Sequence, residues 1–310
     1  MTLTIKRKRV SAPKQVKPKK SHNRTSRRQL KRFTRNKFGT FTYLLFILAA
    51  GLFTVLPLIY SVATSLKPLD ELLIFPPRFL VHRPTAENYL ILGELLSTLR
   101  VPFERYFFNS LFVSIVPSVL HVIIASMAAF VFSKTNWAPR KIVFMIVQLS
   151  LLFNGYTLSL PRYIIYSTLN MIDTYWVYIL PMIPSAMGVF LMKQYMEGSI
   201  PVALLEAAKI DGATVWQIFS RIVLPIVKPC WLTLFLFSFR DCWNLAPAGT
   251  IFTEQLKTLP TIMAQITAGG IARSGSAMAV TVILMIPPIF VYMISQSGVR
   301  ESMSSAGIKE

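Results

Sequence analysis

The chain has 310 residues, of which 53% are hydrophobic and only 15% charged, with a formal net charge of +20. A soluble domain carries roughly a quarter charged residues. The deficit excludes an ordinary water-soluble protein and points to a bilayer as solvent. The apolar residues fall in six blocks, at 41–62, 111–132, 142–158, 175–192, 222–248 and 278–295. Their lengths are near the ~20 residues that cross a ~30 Å hydrocarbon core as a helix. The expected class is therefore an all-α integral membrane protein with six transmembrane helices. Its organisation is expected to be a basic tail at 1–38, a six-helix body at 39–300 and a C-terminal tail at 301–310.

The tail holds 15 Lys or Arg in residues 1–37 and no Asp or Glu. It is too long and too basic for a signal peptide, and its polar composition supplies no packed core. Only Phe33 and Phe38 could stack on bases, so it reads as an arm touching anionic lipid rather than nucleic acid. With six spans and this arm inside, the segments on its side total 93 residues with 23 Lys or Arg. The opposite segments, also 93 residues, carry 8. Basic residues stay on the cytoplasmic side, which places both termini there.

After the first block, the segment 63–110 is the largest external one. It is balanced, with five basic and five acidic residues, and suits an external partner. Pro76-Pro77 rules out a continuous helix, and Thr85 is placed to cap a short helix through Glu87, Asn88 and Tyr89. The third block holds Gln148 and Asn154, with Tyr156 close behind. The tyrosines and tryptophan of 160–176 fit the headgroup level. The segment 197–225 is polar between apolar blocks. Pro201 suits a first helical turn, residues 203–208 are strong helix formers, and Gly212 interrupts them. Asp211 is expected to cap the helix that follows. That helix should run through Trp216 and Phe219 into the fifth block, making a helix–bend–helix that faces the cytosol.

The fifth block contains Lys228, Arg240 and Asp241. Charges inside a membrane are costly and therefore functional candidates. Arg240, Asp241, Trp243 and Asn244 form the best cluster, with Trp243 offering a ring face for stacking and Asn244 an amide for hydrogen bonds. Helix–helix contacts are the competing role. Gln148 and Asn154 follow as pathway candidates. Cys230 and Cys242 share one block and suggest packing, not a disulfide or zinc site. The three histidines, His22, His82 and His121, are scattered. No metal site or nucleophile–base set is expected.

Glu206-Ala207-Ala208, Gly212 and Ile222-Val223-Leu224-Pro225 resemble the coupling loop of permease subunits of bacterial ATP-binding-cassette importers. Further motifs resemble the sugar-uptake branch and its smaller, MalG-like subunit. These are Pro84-Thr85-Ala86-Glu87-Asn88-Tyr89, Asn109-Ser110-Leu111, Ile172-Asp173-Thr174-Tyr175-Trp176, Trp243-Asn244 and Ser305-Ala306-Gly307-Ile308-Lys309. The basic arm lies outside the resemblance. The resemblance implies a type I importer fold in the bacterial cell membrane. It implies as partners a second, non-identical permease, two ATP-binding subunits and an extracytoplasmic solute-binding protein, with a sugar as cargo. The chain has no Gly-x-x-x-x-Gly-Lys-Ser/Thr loop. ATP and magnesium would therefore sit on the partner ATPase, no cofactor would be bound here, and the chain would be no enzyme. Glu206, Ala207, Ala208, Asp211, Gly212, Leu224 and Pro225 would carry the ATPase coupling. An ion-coupled transporter is the competing reading, but it calls for repeats and midplane carboxylates. Asp241 is the only acidic residue in the six blocks.

Overall fold

A computed structural model describes residues 37–307 except 99–100, 137, 154, 156, 247–248, 269 and 271–272. Among the described residues there is no strand. Two units are distinguished. The first, ending at Leu56, contributes the N-terminal turns of α1 (Lys37–Ser65), and the second, from Pro57, holds everything else.

Beyond α1 come α2 (Leu69–Leu72), α3 (Glu87–Ser97) and α4 (Phe103–Lys134). Next are α5 (Arg140–Ser150), α6 (Ser159–Thr168), α7 (Trp176–Ile179) and α8 (Ala186–Ser199). A 3₁₀ turn, Leu180–Met182, joins α7 to α8. The polar segment forms α9 (Val202–Ile210) and α10 (Val215–Gln217), then a π-helical stretch, Ile218–Val223, and α11 (Leu224–Ile226). The chain closes with α12 (Lys228–Trp243), α13 (Leu259–Thr267) and α14 (Ser274–Gly307).

Among the described residues, four helices are long and apolar enough to cross a membrane: Gly39–Ser65, Phe103–Lys134, Trp176–Ser199 and Ser274–Ser302. These contain the blocks at 41–62, 111–132 and 278–295 and most of that at 175–192. A fifth is reached if Val215–Ile226 and Lys228–Trp243, bent by 77°, count as one broken span. The block at 142–158 is not one helix. Helix α5 stops at Ser150, after 11 residues or about 16 Å at 1.5 Å per residue. The block at 222–248 is not straight either. It turns at Val227 (φ −87°, ψ 12°), between Pro225 and Pro229, whose missing N–H groups and ring bulk disfavour a continuous ladder.

Helix α4 is the centre of the second unit, packing on α8 and α12, while α12 also packs on α14. At its C-terminal end, Ala129 and Phe130 join Met192, Met196, Leu205, Ala208, Ile218, Phe219 and Val223 in one apolar cluster. At its N-terminal end, Tyr106 joins Leu92, Leu259, Ile262, Met263 and Val280 in another.

The short motifs 84–89, 109–111 and 172–176 tie backbone segments together at the N-terminal end of α4. Asn88 Nδ2 donates to Ser65 O (2.9 Å) and Lys67 O (2.7 Å), holding the end of α1. Thr85 Oγ1 accepts from Glu87 N at the start of α3. Asn109 Nδ2 donates to Gln255 O and Lys257 O, and its Oδ1 accepts from Tyr175 Oη (2.8 Å). Ser110 Oγ accepts from Leu259 N (2.7 Å) at the start of α13. Asp173 accepts from Phe252 N (2.9 Å), Thr253 N (2.8 Å) and Thr253 Oγ1, and Asp173 N donates to Thr250 O. These contacts hold the loop between α12 and α13 against α4 and the 170s.

Candidate functional site: an elbow and a mid-helix cavity

Two features lie at different levels of α4. The first is the elbow formed by α9, α10 and the π-helical stretch, at the C-terminal end. Lys134 Nζ donates to Ile200 O (2.6 Å), pinning the entry to α9 beside that end. Leu205 and Ala208 turn inward to the core. Glu206, Ala207, Lys209 and Ile210 face outward, Ile210 being 86% exposed. Of the two alanines, therefore, only Ala207 is presented to the outside.

The bend is made at Gly212, which sits at φ +79°, a left-handed conformation in which glycine has no Cβ penalty. Ala213 N reaches back to Ala208 O and Gly212 N to Lys209 O, closing α9. Asp211 (φ −71°, ψ 3°) is the C-cap of α9 and does not cap the next helix. That role belongs to Thr214, in extended conformation. Its Oγ1 accepts from Gln217 N (3.3 Å), while Gln217 Oε1 accepts from Thr214 N (2.8 Å). This reciprocal capping box needs Ser/Thr followed three residues later by Glu/Gln. Thr214-Val215-Trp216-Gln217 spells it. Asp211 stands too early in the turn to reach the free amides. Val215 and Trp216 are 62% and 63% exposed, so the elbow's outer surface is apolar as well as charged. Leu224 is half-buried against the core and Pro225 is exposed.

The second feature is halfway along α4. Ser118 is the sixteenth of its 32 residues, and its hydroxyl lies 3.9 Å from Cys242 Sγ, at the last turn of α12. Helix α8 begins at the same level. His121 Nδ1 is 2.9 Å from Ile183 O. A carbonyl can only accept, so Nδ1 carries the proton. A Cβ on Gly188 would lie 2.3 Å from His121 Nε2, so any larger residue here requires the imidazole to move. Ser185 Oγ caps α8 by accepting from Gly188 N (3.3 Å). One helix thus ends and another begins beside the middle of α4, around a cavity of about 370 Å³ lined by His121, Ser185, Ser238, Arg240, Asp241 and apolar residues including Met182 and Phe237. A neighbouring cavity of about 220 Å³ shares Pro181 and Met182 and reaches Arg162, Tyr163, Tyr166 and Thr250.

Arg240 and Asp241 are paired, with Nη2 and Nε 3.0 and 3.2 Å from Oδ1, and their side chains are 65% and 58% exposed. Trp243 does not line the cavity. It is 2% exposed, stacked on Phe239, and its indole N–H donates to Leu284 O. Asn244 is exposed, with its amide turned back to Arg240 O (2.9 Å). Gln148 is exposed on α5 and is not among the cavity residues. Asn154 and Tyr156 lie outside the described residues, as do most of the basic arm and Ile308-Lys309. Sequence reasoning missed His121, Ser185 and Ser238 as cavity residues. A lone polar residue inside an apolar block was the available signal for His121.

A profile of the family described as "Binding-protein-dependent transport system inner membrane component" matches residues 107–304, more than half of the chain and all of the elbow and cavity. The chain belongs to this family. Among similar proteins is the inner membrane ABC transporter permease protein YcjP of Escherichia coli K12, 27% identical over 260 residues, 83% of this chain and 91% of that one. Another is the arabinooligosaccharides transport system permease protein AraQ of Bacillus subtilis 168, 26% identical over 269 residues, 86% and 94% of the two chains. A third is the sulfoquinovosyl glycerol transport system permease protein SmoH of Agrobacterium fabrum C58, 27% identical over 268 residues, 85% and 90%. The fold is shared with a chain of a bacterial ABC transporter that imports the acidic polysaccharide alginate. That match has a TM-score of 0.69 at 21% identity, covering 84% of this chain and 98% of that one. This permease therefore has its family's helical architecture.

Proposed function

We propose that this permease is one of two membrane subunits of an ATP-driven importer in the bacterial cell membrane, carrying a sugar or oligosaccharide. The sugar transport systems named for its relatives favour that cargo. Six crossings follow if α5 with α6 makes one and α12, after the turn at Val227, makes another. Both termini and the elbow then lie in the cytoplasm. A second, non-identical permease would complete the pathway, two ATP-binding subunits would hold ATP and magnesium, and an external protein would deliver the cargo.

The observation that carries this reading is the Arg240–Asp241 pair, exposed on a cavity wall at half the length of α4. A charged residue at the centre of a bilayer costs about 2.5–3.5 kcal/mol on insertion scales. Such a pair belongs on a water-filled pathway or against a partner chain, not against lipid. Helices broken at mid-depth are a recurrent way to build transporter sites. Asn244 and Gln148 are offered as further pathway groups, Asn154 with them, and Trp243 as the packed support of α12. Coupling is assigned to the elbow. Glu206 and Ala207 face the ATPase, while Ala208, Asp211, Gly212, Leu224 and Pro225 fix the elbow's shape and its seat on α4 and α8. A cleft closing on nucleotide would move this seat and, through it, the spans. Co-purification of the tagged chain with a second permease and an ATPase, followed by ATP-dependent uptake in proteoliposomes, tests the proposal. Uptake driven by an ion gradient without the ATPase would reject it.

A further inference from the structure

We propose that the segment from Leu72 to Leu80 is a wedge seated in the lipid surface beside the C-terminal end of α1, a proposal that rests on α1 being a membrane span. As a span, Gly39–Ser65 has 27 residues, or about 40 Å at 1.5 Å per residue. That is near the full thickness of a bilayer with its headgroups. Its last turns therefore stand at headgroup depth.

The chain does not leave the membrane there. It folds back along the helix. The Phe79 ring lies 5.5 Å from that of Tyr60, five residues before the helix ends. The Lys67 ammonium lies 5.6 Å from the same Tyr60 ring and donates to Arg78 O. Glu71, only 4% exposed, accepts from His82 N (3.0 Å) and Arg83 N (3.4 Å). Asp70 pairs with Arg83. Polar groups thus hold the segment from within, and its apolar side chains are left outside. Phe75 is 92% exposed, Leu80 64% and Leu73 59%.

A loop built this way is costly in water and suited to the boundary between headgroups and acyl chains, where aromatic and aliphatic residues enter by a few ångströms. Arg78, exposed between Phe75 and Phe79, adds a guanidinium at the depth of the phosphates. A protein partner approaching from the aqueous side would instead favour a loop that stands away from the span. Lipid is therefore the occupant we assign.

The test is a spin label at Phe75→Cys or Leu73→Cys in the assembled transporter, reconstituted in vesicles of phosphatidylethanolamine and phosphatidylglycerol. The native Cys230 and Cys242 are buried, and an unlabelled-background control accounts for them. Relaxation by oxygen, which partitions into lipid, is compared with relaxation by a water-soluble nickel chelate. The exposed position Glu87→Cys serves as the aqueous reference. The proposal expects oxygen to dominate at 73 and 75 and nickel at 87. Nickel dominating at 73 and 75 would show a loop in water, and neither reagent reaching them would show one covered by protein. Either result overturns the wedge. A label at Leu48→Cys separates the two layers of the argument. Nickel reaching Leu48 would reject α1 as a span, whereas protection there with nickel access at 75 would reject the wedge alone.

Discussion

Gly212 is the residue on which the elbow's shape turns. Its φ of +79° is unfavourable for other L-residues, yet no heavy atom lies within 4 Å of where a Cβ would be. The penalty of a substitution is therefore conformational, roughly 1–2 kcal/mol for a left-handed L-residue. It is lower for asparagine, which visits this region more readily. Gly212→Asn is expected to keep most ATP-dependent uptake, and Gly212→Val to lose it at normal membrane abundance. Equal uptake by the two, measured with an immunoblot of the membrane fraction, would contradict the assignment. Asp173 also adopts a left-handed conformation, at φ 61°. The Thr253 hydroxyl and then the Thr253 amide, with the Phe252 amide adding less, hold its carboxyl below the ordinary carboxylate pKa of 3.8 against the upward push of burial. A lowered folded-state pKa contributes stability above the ordinary value, lost as pH falls through the folded one. Thermal unfolding should thus show no Asp173-dependent change between pH 5 and 8, and a loss only below about pH 4. Asp173→Ala should lower stability by about 1–2 kcal/mol, since three accepted hydrogen bonds go but the site is only half-buried. Its acid-induced loss should shrink with it.

At the scale of elements, the crossing of α4 and α8 depends on Gly188 facing His121. Gly188→Ala should destabilise the purified assembly by about 1–3 kcal/mol through overpacking, and His121→Ala should relieve part of that in the double variant. Additive losses in thermal unfolding would show that the two do not meet. Thr214→Ala should cost about 1 kcal/mol by removing the capping box, read as lower uptake per ATP hydrolysed. The long spans were legible because α1, α4 and α14 are unbroken apolar runs that need no partner sequence to be recognised. The breaks within the blocks at 142–158 and 222–248 were not legible because hydropathy counts residues without registering where the backbone turns. Pro225 and Pro229 are visible in the sequence, but the 77° bend between them depends on the core that Val223, Val227 and Leu234 enter together. The bend at Gly212 was readable from glycine alone. The cavity beside the middle of α4 was not, because His121, Ser185 and Arg240 come from three separate helical segments.

For the whole molecule, the two ends of α4 divide the labour. One end carries the ties among the 109, 173 and 255 segments, and the other carries the elbow. Uptake should therefore be sensitive at both, and the cavity should respond to charge balance. Arg240→Ala leaves a carboxylate unpaired near mid-depth and should lower assembly yield more than Arg240→Ala combined with Asp241→Ala. Quantified co-purification of the second permease reads this out, and an equal or greater defect in the double variant would show that assembly does not depend on the balance of the two charges.

The same two residues bear on the life of a surplus copy. A subunit made without companions would hold formal charges against acyl chains that cannot solvate them, a mark by which proteolytic surveillance can tell orphans from finished complexes. Pulse-chase of the chain expressed alone should then show rapid turnover, slowed when both residues are alanine. The pair proposed to face the pathway in the complex would set the lifespan of the subunit outside it.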